Sequence, residues 1–456
     1  MTGAQNVQSW LDANLGRLVA ERGVPGASAA VLVDGRQYAA AAGVTSTATG
    51  VPVDPDTVFQ VGSITKLWTS ALVMQLADEG LVDIDRPLRD YLPGFAVGDA
   101  EASAAITCRH LLSHVAGFEG DIFTDTGRGD DAVERYVASI RDVPQVFAPG
   151  GMFSYNNTGF VVLGRLVEVL RDRPFDQVLL ERLATPLGLR RVSPSPYEAI
   201  LHRAAVGHLD DAVATTTWAL PRSNAPAGSM LAMTPADLLG FAAMHLAGGT
   251  APDGTRILAP ETVLAMQTPQ VTVPDLATMG GSWGLGWERD EYDGRVVVGH
   301  DGGTIGQAAF VRVVPDAGVA VALLTNGGDV LGLYRDVVGH LLEQLTGIVL
   351  PGPDVPPAHP EPFDPAPYLG RYADTIYDVT VSQGADGEVW LDRTPKDALA
   401  GLEKPLRVRL VRHGADRLIS VEPHHGVHPV FAFIGRDGTG RSEHIHYGRA
   451  IARVAD

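Results

Sequence analysis

Apolar residues recur at helical spacing over residues 8–22 (Leu11, Leu15, Leu18, Val19), and Pro25-Gly26 ends the run. Two strand-like runs follow at residues 27–33 and 36–42, joined by an Asp34-Gly35 turn. An extended approach at Phe59-Gln60 leads into a helix expected to continue to about Asp78. Further on, helical spacing dominates at residues 106–114, 131–141, 158–171 and 175–183, with no clear strands between. Residues 235–246 and 260–266 read as helices with proline near the start. Strand-like segments return at residues 284–289, 295–298, 307–314 and 319–325, before a closing helix at 331–345. Strands at both ends with helices inserted between them predict one α/β sheet built from distant parts of the chain. An all-helical lobe is expected at about residues 80–225.

The pattern then changes. Prolines recur every few residues from 351 to 367, a semi-rigid linker. Eight short β-like runs follow at residues 371–372, 379–381, 389–391, 407–410, 417–419, 430–434, 442–447 and 450–454, separated by Gly/Asp turns. Their spacing predicts a small antiparallel barrel. The expected division is a catalytic domain at 1–347, a linker at 348–367 and a barrel at 368–456.

The 456 residues suffice for two or three domains. A formal charge of −19 leaves no basic stripe for nucleic acid or an anionic membrane. A single cysteine, Cys108, excludes an internal disulfide. Residues 1–14 show no signal-peptide pattern, and no run of about 20 apolar residues exists to span a bilayer. A cytoplasmic enzyme is expected.

Candidate chemistry begins at Ser63-Ile64-Thr65-Lys66. Three residues apart on a helix, Ser63 and Lys66 share a face one turn apart. A serine hydroxyl is a poor nucleophile until a neighbour takes its proton, and a desolvated lysine amine can do so. The helix N-terminus favours the negative charge that the attacking oxygen develops. A surface lysine on an amphipathic helix is the alternative, but only Lys66, Lys396 and Lys404 occur among 35 basic residues.

Two other stretches could complete a site. Tyr155-Asn156-Asn157 follows a Gly-rich loop. The Tyr155 phenol can exchange a proton with Ser63 or a leaving group, and the Asn157 amide can hold Lys66 or a substrate carbonyl. Gly299-His300-Asp301-Gly302-Gly303 lies between two predicted strands. The Gly303 N–H can join the Ser63 N–H as an oxyanion hole, a contribution of roughly 3 kcal/mol. His300 would reach into the cleft as a hydrogen-bonding or proton-shuttling group. Read singly, the first is a turn and the second a glycine-rich hairpin. His110 and His114 have the i, i+4 spacing of zinc ligands, but Leu111 stands where H-E-x-x-H needs Glu, so structural hydrogen bonding is expected. His424, His425 and His428 read as a solvated turn. No metal or cofactor is expected.

In the order Ser63-x-x-Lys66, Tyr155-x-Asn157, His300-x-Gly302, the chain resembles the serine β-lactamase and penicillin-binding-protein superfamily, in its class C-like branch. The likeness extends to Thr107-x-x-x-Leu111-Leu112-x-His114-x-x-Gly117, to Ala227-Gly228-Ser229-Met230 and to Trp283-Gly284-Leu285-Gly286-Trp287. It covers roughly residues 5–347. It implies an antiparallel sheet flanked by helices, with Ser63 as nucleophile, Lys66 as its base, Tyr155 as proton shuttle and Asn157 orienting Lys66 and the substrate amide. His300 departs from the Lys of lactamases and transpeptidases, and His is common in esterase, D-aminopeptidase and peptide-cyclase members.

Chain length, His300 and the appended barrel are similar to the penicillin-binding-protein-type thioesterases, whose extra domain is a lipocalin-like barrel bordering the cleft. That resemblance implies head-to-tail cyclisation of a nonribosomal peptidyl thioester with a C-terminal D-residue, presented on a peptidyl carrier protein. A cytoplasmic esterase or D-stereospecific aminopeptidase is the alternative, followed by a β-lactamase-like or catalytically inactive binding protein. Gly302, Trp283, Tyr447 and Arg449 are the candidate substrate contacts, with His446 beside them. Carrier proteins are acidic, and the sequence reveals no local Arg patch to dock one.

Overall fold

A computed structural model describes residues 4–209, 212–397, 400–401, 403–424 and 426–455. Helix α1 (Ala4–Glu21) precedes the hairpin β1 (Gly26–Val33) and β2 (Arg36–Gly43). The two-residue strands β3 (Phe59–Gln60) and β6 (Ala232–Met233) pair beside Ser63, and β4 (His208–Leu209) pairs with β5 (Val213–Ala214). With β7 (Val271–Thr272), β8 (Ser282–Trp283), β9 (Glu288–Tyr292), β10 (Arg295–Gly303), β11 (Ala308–Val314) and β12 (Val319–Thr325), the first hairpin builds one antiparallel sheet. Its order is β2-β1-β12-β11-β10-β9-β8-β7. Ala27 lies opposite Thr325, so the two ends of the domain meet side by side in the sheet.

Strand β1 is buried along its whole length because both faces are covered. Ala29, Val31 and Val33 pack with Leu11, Leu15 and Leu341 on one side. Ala30 and Leu32, one residue out of phase, face the larger core shared with the helical lobe. That lobe and its surroundings comprise α2 (Thr65–Asp78), α3 (Ala100–Ala105), α4 (Cys108–Leu112), α5 (Ala132–Ser139), α6 (Asn157–Arg171), α7 (Phe175–Leu179), α8 (Pro196–Ala199), α9 (Pro235–Leu246) and α10 (Pro260–Gln267). The closing helix is continuous but changes winding, from α11 (Val330–Tyr334) through a π-helical turn at Arg335–Gly339 to α12 (His340–Thr346).

Of the strand expected at residues 284–289, only Glu288 and Arg289 are extended, as the start of β9, while residues 284–287 form a turn. The Gly284 N–H closes a turn onto the Trp287 carbonyl (2.8 Å), and Gly286 has φ +90. A Cβ on Gly286 would fall 2.1 Å from Ser70 Oγ on α2, so the turn lets the nucleophile helix approach.

The eight C-terminal runs become β13 (Gly370–Ala373), β14 (Tyr377–Gln383), β15 (Val389–Pro395), β16 (Leu406–Gly414), β17 (Arg417–Ser420), β18 (Val430–Ile434), β19 (His444–His446) and β20 (Ala450–Arg453). Each pairs antiparallel with the next, and β20 returns to β13, closing an eight-stranded barrel. Alternate residues such as Val379, Val381, Leu391, Val408, Phe431 and Ile445 fill its interior. Among the described residues, no helix is long and apolar enough to cross a membrane. His425 lies outside the described residues. Of its neighbours, His428 directs Nδ1 to the Ser420 carbonyl (3.0 Å).

Candidate active site

Ser63 sits in a one-turn 3-10 helix, Gly62–Ile64, that runs directly into α2. Gly62 has φ +51, and a Cβ there would fall 2.6 Å from the Gly303 nitrogen. Only glycine can turn the chain so close to β10. One turn on, Lys66 is fully buried, and its Nζ lies 2.9 Å from Ser63 Oγ and 2.7 Å from the Ala227 carbonyl. Burial pushes the Lys66 amine well below its usual value, and nearby Arg449 adds to the shift while Asp121 opposes it. A neutral amine donating to Ala227 keeps its lone pair for the Ser63 proton.

Tyr155 stands on the other side of this pair, its ring centre 4.9 Å from Lys66 Nζ. Burial pushes its phenol up, with the Ser63 hydroxyl alongside pulling the other way. Among the described residues, the Tyr155 hydroxyl makes no hydrogen bond of full geometry, with Ser63 included. His114 explains how the ring is held. Its φ is +58, its ring stacks on Tyr155 at 4.3 Å, and its Nδ1 accepts the Asn156 N–H at 2.9 Å. His110 closes a capping box with Thr107 at the start of α4. Both histidines therefore serve the backbone as expected.

Asn156, not Asn157, caps α6, accepting the Gly159 N–H at 2.6 Å. Asn157 does not hold Lys66. Its amide donates to Asp121 Oδ1 at 2.6 Å, and Ala227 has taken the place beside the lysine.

The third motif lies on the exposed end of β10. A Cβ on Gly302 would fall 1.9 Å from the Val61 carbonyl and 3.2 Å from the Ser63 nitrogen. Backbone thus meets backbone here, with the Gly62–Ser63 turn packed directly against Gly302 and Gly303. His300 is buried, its ring edge against Trp283 (5.4 Å) and Tyr155 (6.1 Å). Its Nδ1 lies 2.5 Å from the Asp301 carbonyl, which fixes the proton there and leaves Nε2 a bare acceptor. Burial, then Lys66, pushes His300 down to about 3, so the ring is neutral. Beneath it Arg312 pairs with Asp301 at 2.7 Å and with Glu288 at 3.8 Å. Burial raises Glu288 to about 8 even so.

The barrel enters the site through its last hairpin. The Tyr155 N–H donates to the Gly448 carbonyl (3.0 Å), the Ala450 N–H to Ser154 Oγ (3.1 Å), and His446 Nε2 meets the Phe153 carbonyl (2.8 Å). Arg449 Nε donates to Asp121 Oδ2 at 2.8 Å, and its guanidinium carbon lies 4.6 Å from the Tyr155 ring centre. Tyr447 instead packs at the barrel end against Tyr377 and Phe431. Trp283 is buried among His114, Phe153 and Tyr155, walling the site and offering no face to a ligand. Asp121, the Ala227 carbonyl and the His446–Phe153 contact were not legible in the sequence. Each contact depends on a partner more than 30 residues away in the chain, which no local pattern reveals.

The Beta-lactamase family model matches residues 11–340. Penicillin-binding protein 4 of Amycolatopsis lactamdurans is 45% identical over 358 residues, 77% of this chain and 94% of that protein. Esterase EstB of Burkholderia gladioli is 29% identical over 41% of this chain and 51% of its own length. Among solved structures, SurE is 30% identical with a TM-score of 0.80, covering 99% of this chain and all of that one. SurE has also been solved with D-Leu, matching at a TM-score of 0.76. This chain belongs to the Beta-lactamase family, as a serine hydrolase or acyltransferase of the β-lactamase and penicillin-binding-protein superfamily.

Proposed function

We propose that this enzyme releases a peptidyl thioester, presented on a carrier protein, as a head-to-tail macrocycle with a D-residue at the joining carbonyl. The observation that carries this reading is whole-chain correspondence to SurE, barrel included, where the barrel hairpin packs onto the Tyr155 loop. That SurE has been solved with D-Leu supports a pocket shaped for a D-residue. His300 adds to it. A buried neutral ring supplies no cation for a substrate carboxylate, and a thioester acyl donor carries none there.

In this reading Ser63 Oγ bonds to the thioester carbonyl carbon as its proton passes to Lys66 Nζ. The oxyanion is held by the Ser63 and Gly303 N–H groups. The C–S bond breaks, and the thiol leaves with a proton delivered through Tyr155. The peptide's own amine attacks the acyl-Ser63 carbonyl and loses its proton to the Lys66–Tyr155 pair. The ester C–O bond then breaks, and the proton returns to Ser63. The amine must outcompete water, which an enforced intramolecular geometry allows.

Hydrolysis is the second reading, favoured by a relative named for it, Esterase EstB of Burkholderia gladioli. Mass spectrometry with short peptidyl thioesters ending in a D- or an L-residue separates the two. Loss of thiol without gain of water, only for the D-ended substrate and absent in Ser63→Ala, supports the cyclase. Hydrolysed acid alone sinks it.

A further inference from the structure

Asp121 lies outside all three motifs, in the loop that follows α4, yet it joins two of the site's elements to the barrel. Its carboxylate is mostly buried, with a side-chain exposure of 10%. Oδ1 accepts the Asn157 amide at 2.6 Å, and Oδ2 accepts Arg449 Nε at 2.8 Å, with Arg449 Nη2 at 3.4 Å from Oδ1. A carboxylate only accepts, so the Asn157 NH₂ must face it and the amide oxygen must face the other way. Among the described residues, every hydrogen bond of the Arg449 side chain goes to Asp121, although its guanidinium lies over the Tyr155 ring.

We propose that Asp121 is a positioning residue for acyl transfer: one buried carboxylate fixes the Asn157 amide on the helical lobe and the Arg449 guanidinium from the barrel, and so sets the charge facing Lys66 and Tyr155. The proposal rests on acyl-serine chemistry alone and not on cyclisation.

The groups around Lys66 leave few other sources of charge. Ser63 and Tyr155 face it as neutral hydroxyls, and His114 and His300 are buried neutral rings. Arg449 and Asp121 remain, one of each sign. Arg449 disfavours protonation of Lys66 and Asp121 favours it. Removing each should therefore move the acid limb of the reaction in opposite directions. A purely structural role would move neither limb.

The test is the rate of Ser63 acylation by a small nitrophenyl ester, followed across pH in single turnover for the full chain. This probe carries no carboxylate or amine, so lost substrate contacts cannot mimic the result. Asp121→Asn is expected to shift the acid limb down and Arg449→Gln to shift it up, each by about one unit. Plateau rates should fall about 10- to 100-fold as the Asn157 amide and Tyr155 lose their fixed geometry. Arg449→Lys keeps the charge and should leave the limb near its native position, which preserves the test if Asp121→Asn fails to fold. Limbs that stay put in folded variants, or Gln and Lys variants shifting alike, overturn the proposal. If Ser63→Ala is acylated equally fast, the acyl-serine reading itself fails, a distinct outcome.

Discussion

The Tyr155 N–H donates to the Gly448 carbonyl at 3.0 Å, so the residue we propose as proton shuttle hangs from the backbone of the C-terminal barrel. The barrel is thereby part of the site's framework and not an appendage beside it. Arg417 on β17 pairs with Asp275 and anchors the barrel a second time, beyond the cleft.

Gly448 has φ +98, and a Cβ there would fall 3.1 Å from Met279. Gly448→Val should strain the hairpin by about 1–3 kcal/mol and push the Tyr155 loop aside. The expected result is a 10- to 100-fold loss of acylation rate with a small ester, larger than the loss of melting temperature would explain. An unchanged rate would detach the barrel from the chemistry.

Much of this was legible in advance, for reasons that differ by element. The Ser63–Lys66 contact follows from helical periodicity, and the eight barrel strands follow from alternation between turn residues. The Asn157 contact was not legible. Whether its amide reaches Lys66 or Asp121 depends on a loop 36 residues upstream and a barrel arginine 328 residues from that loop's carboxylate. Trp283 and Tyr447 were expected to meet substrate, and packing claims both. Aromatic residues look alike in sequence whether they wall a site or line it.

Burial holds the Lys66 amine well below its usual range, so acylation should lose rate as pH falls through that depressed pKa and protonation removes the base. Lys66→Arg places a permanent cation there and cannot accept the Ser63 proton. The variant should lose about 10²–10⁴ in acylation rate at every pH. The pH–rate profile of the native enzyme beside this variant checks both statements. A variant whose activity recovers at high pH would assign the base elsewhere.

Gly302 permits β10 to pass the nucleophile. A Cβ there, 1.9 Å from the Val61 carbonyl, must move either the strand or the Ser63 turn. Gly302→Ala should therefore separate the two oxyanion donors, with kcat falling about 10²–10³-fold and KM changing far less. Steady-state kinetics with a small ester would show it. A loss confined to KM would mean that this glycine serves substrate access instead.

Four buried histidines make stability depend on pH in a direction that can be worked out. His245 and His300 are pushed down to about 3, His446 to about 4 and His114 well below 6.5, in each case chiefly by burial. Folding keeps these rings neutral while the unfolded chain protonates them near 6.5. The unfolded state therefore binds more protons between about 6.5 and 4, and stability falls as pH drops through that window. Each ring contributes up to about 1.4 kcal/mol per pH unit. His245 is the cleanest to remove. It lies on α9 between Phe241 and Trp287, away from Ser63, and among the described residues neither buried ring nitrogen has a hydrogen-bond partner. His245→Leu fills similar space without two stranded polar atoms, and should stabilise the fold by about 1 kcal/mol at neutral pH. It should also flatten the decline of melting temperature below pH 6.5 by roughly one proton's worth. Thermal melts of both proteins from pH 7 down to about 4.5 test the sign, and curves that stay parallel would show that His245 does not titrate on unfolding.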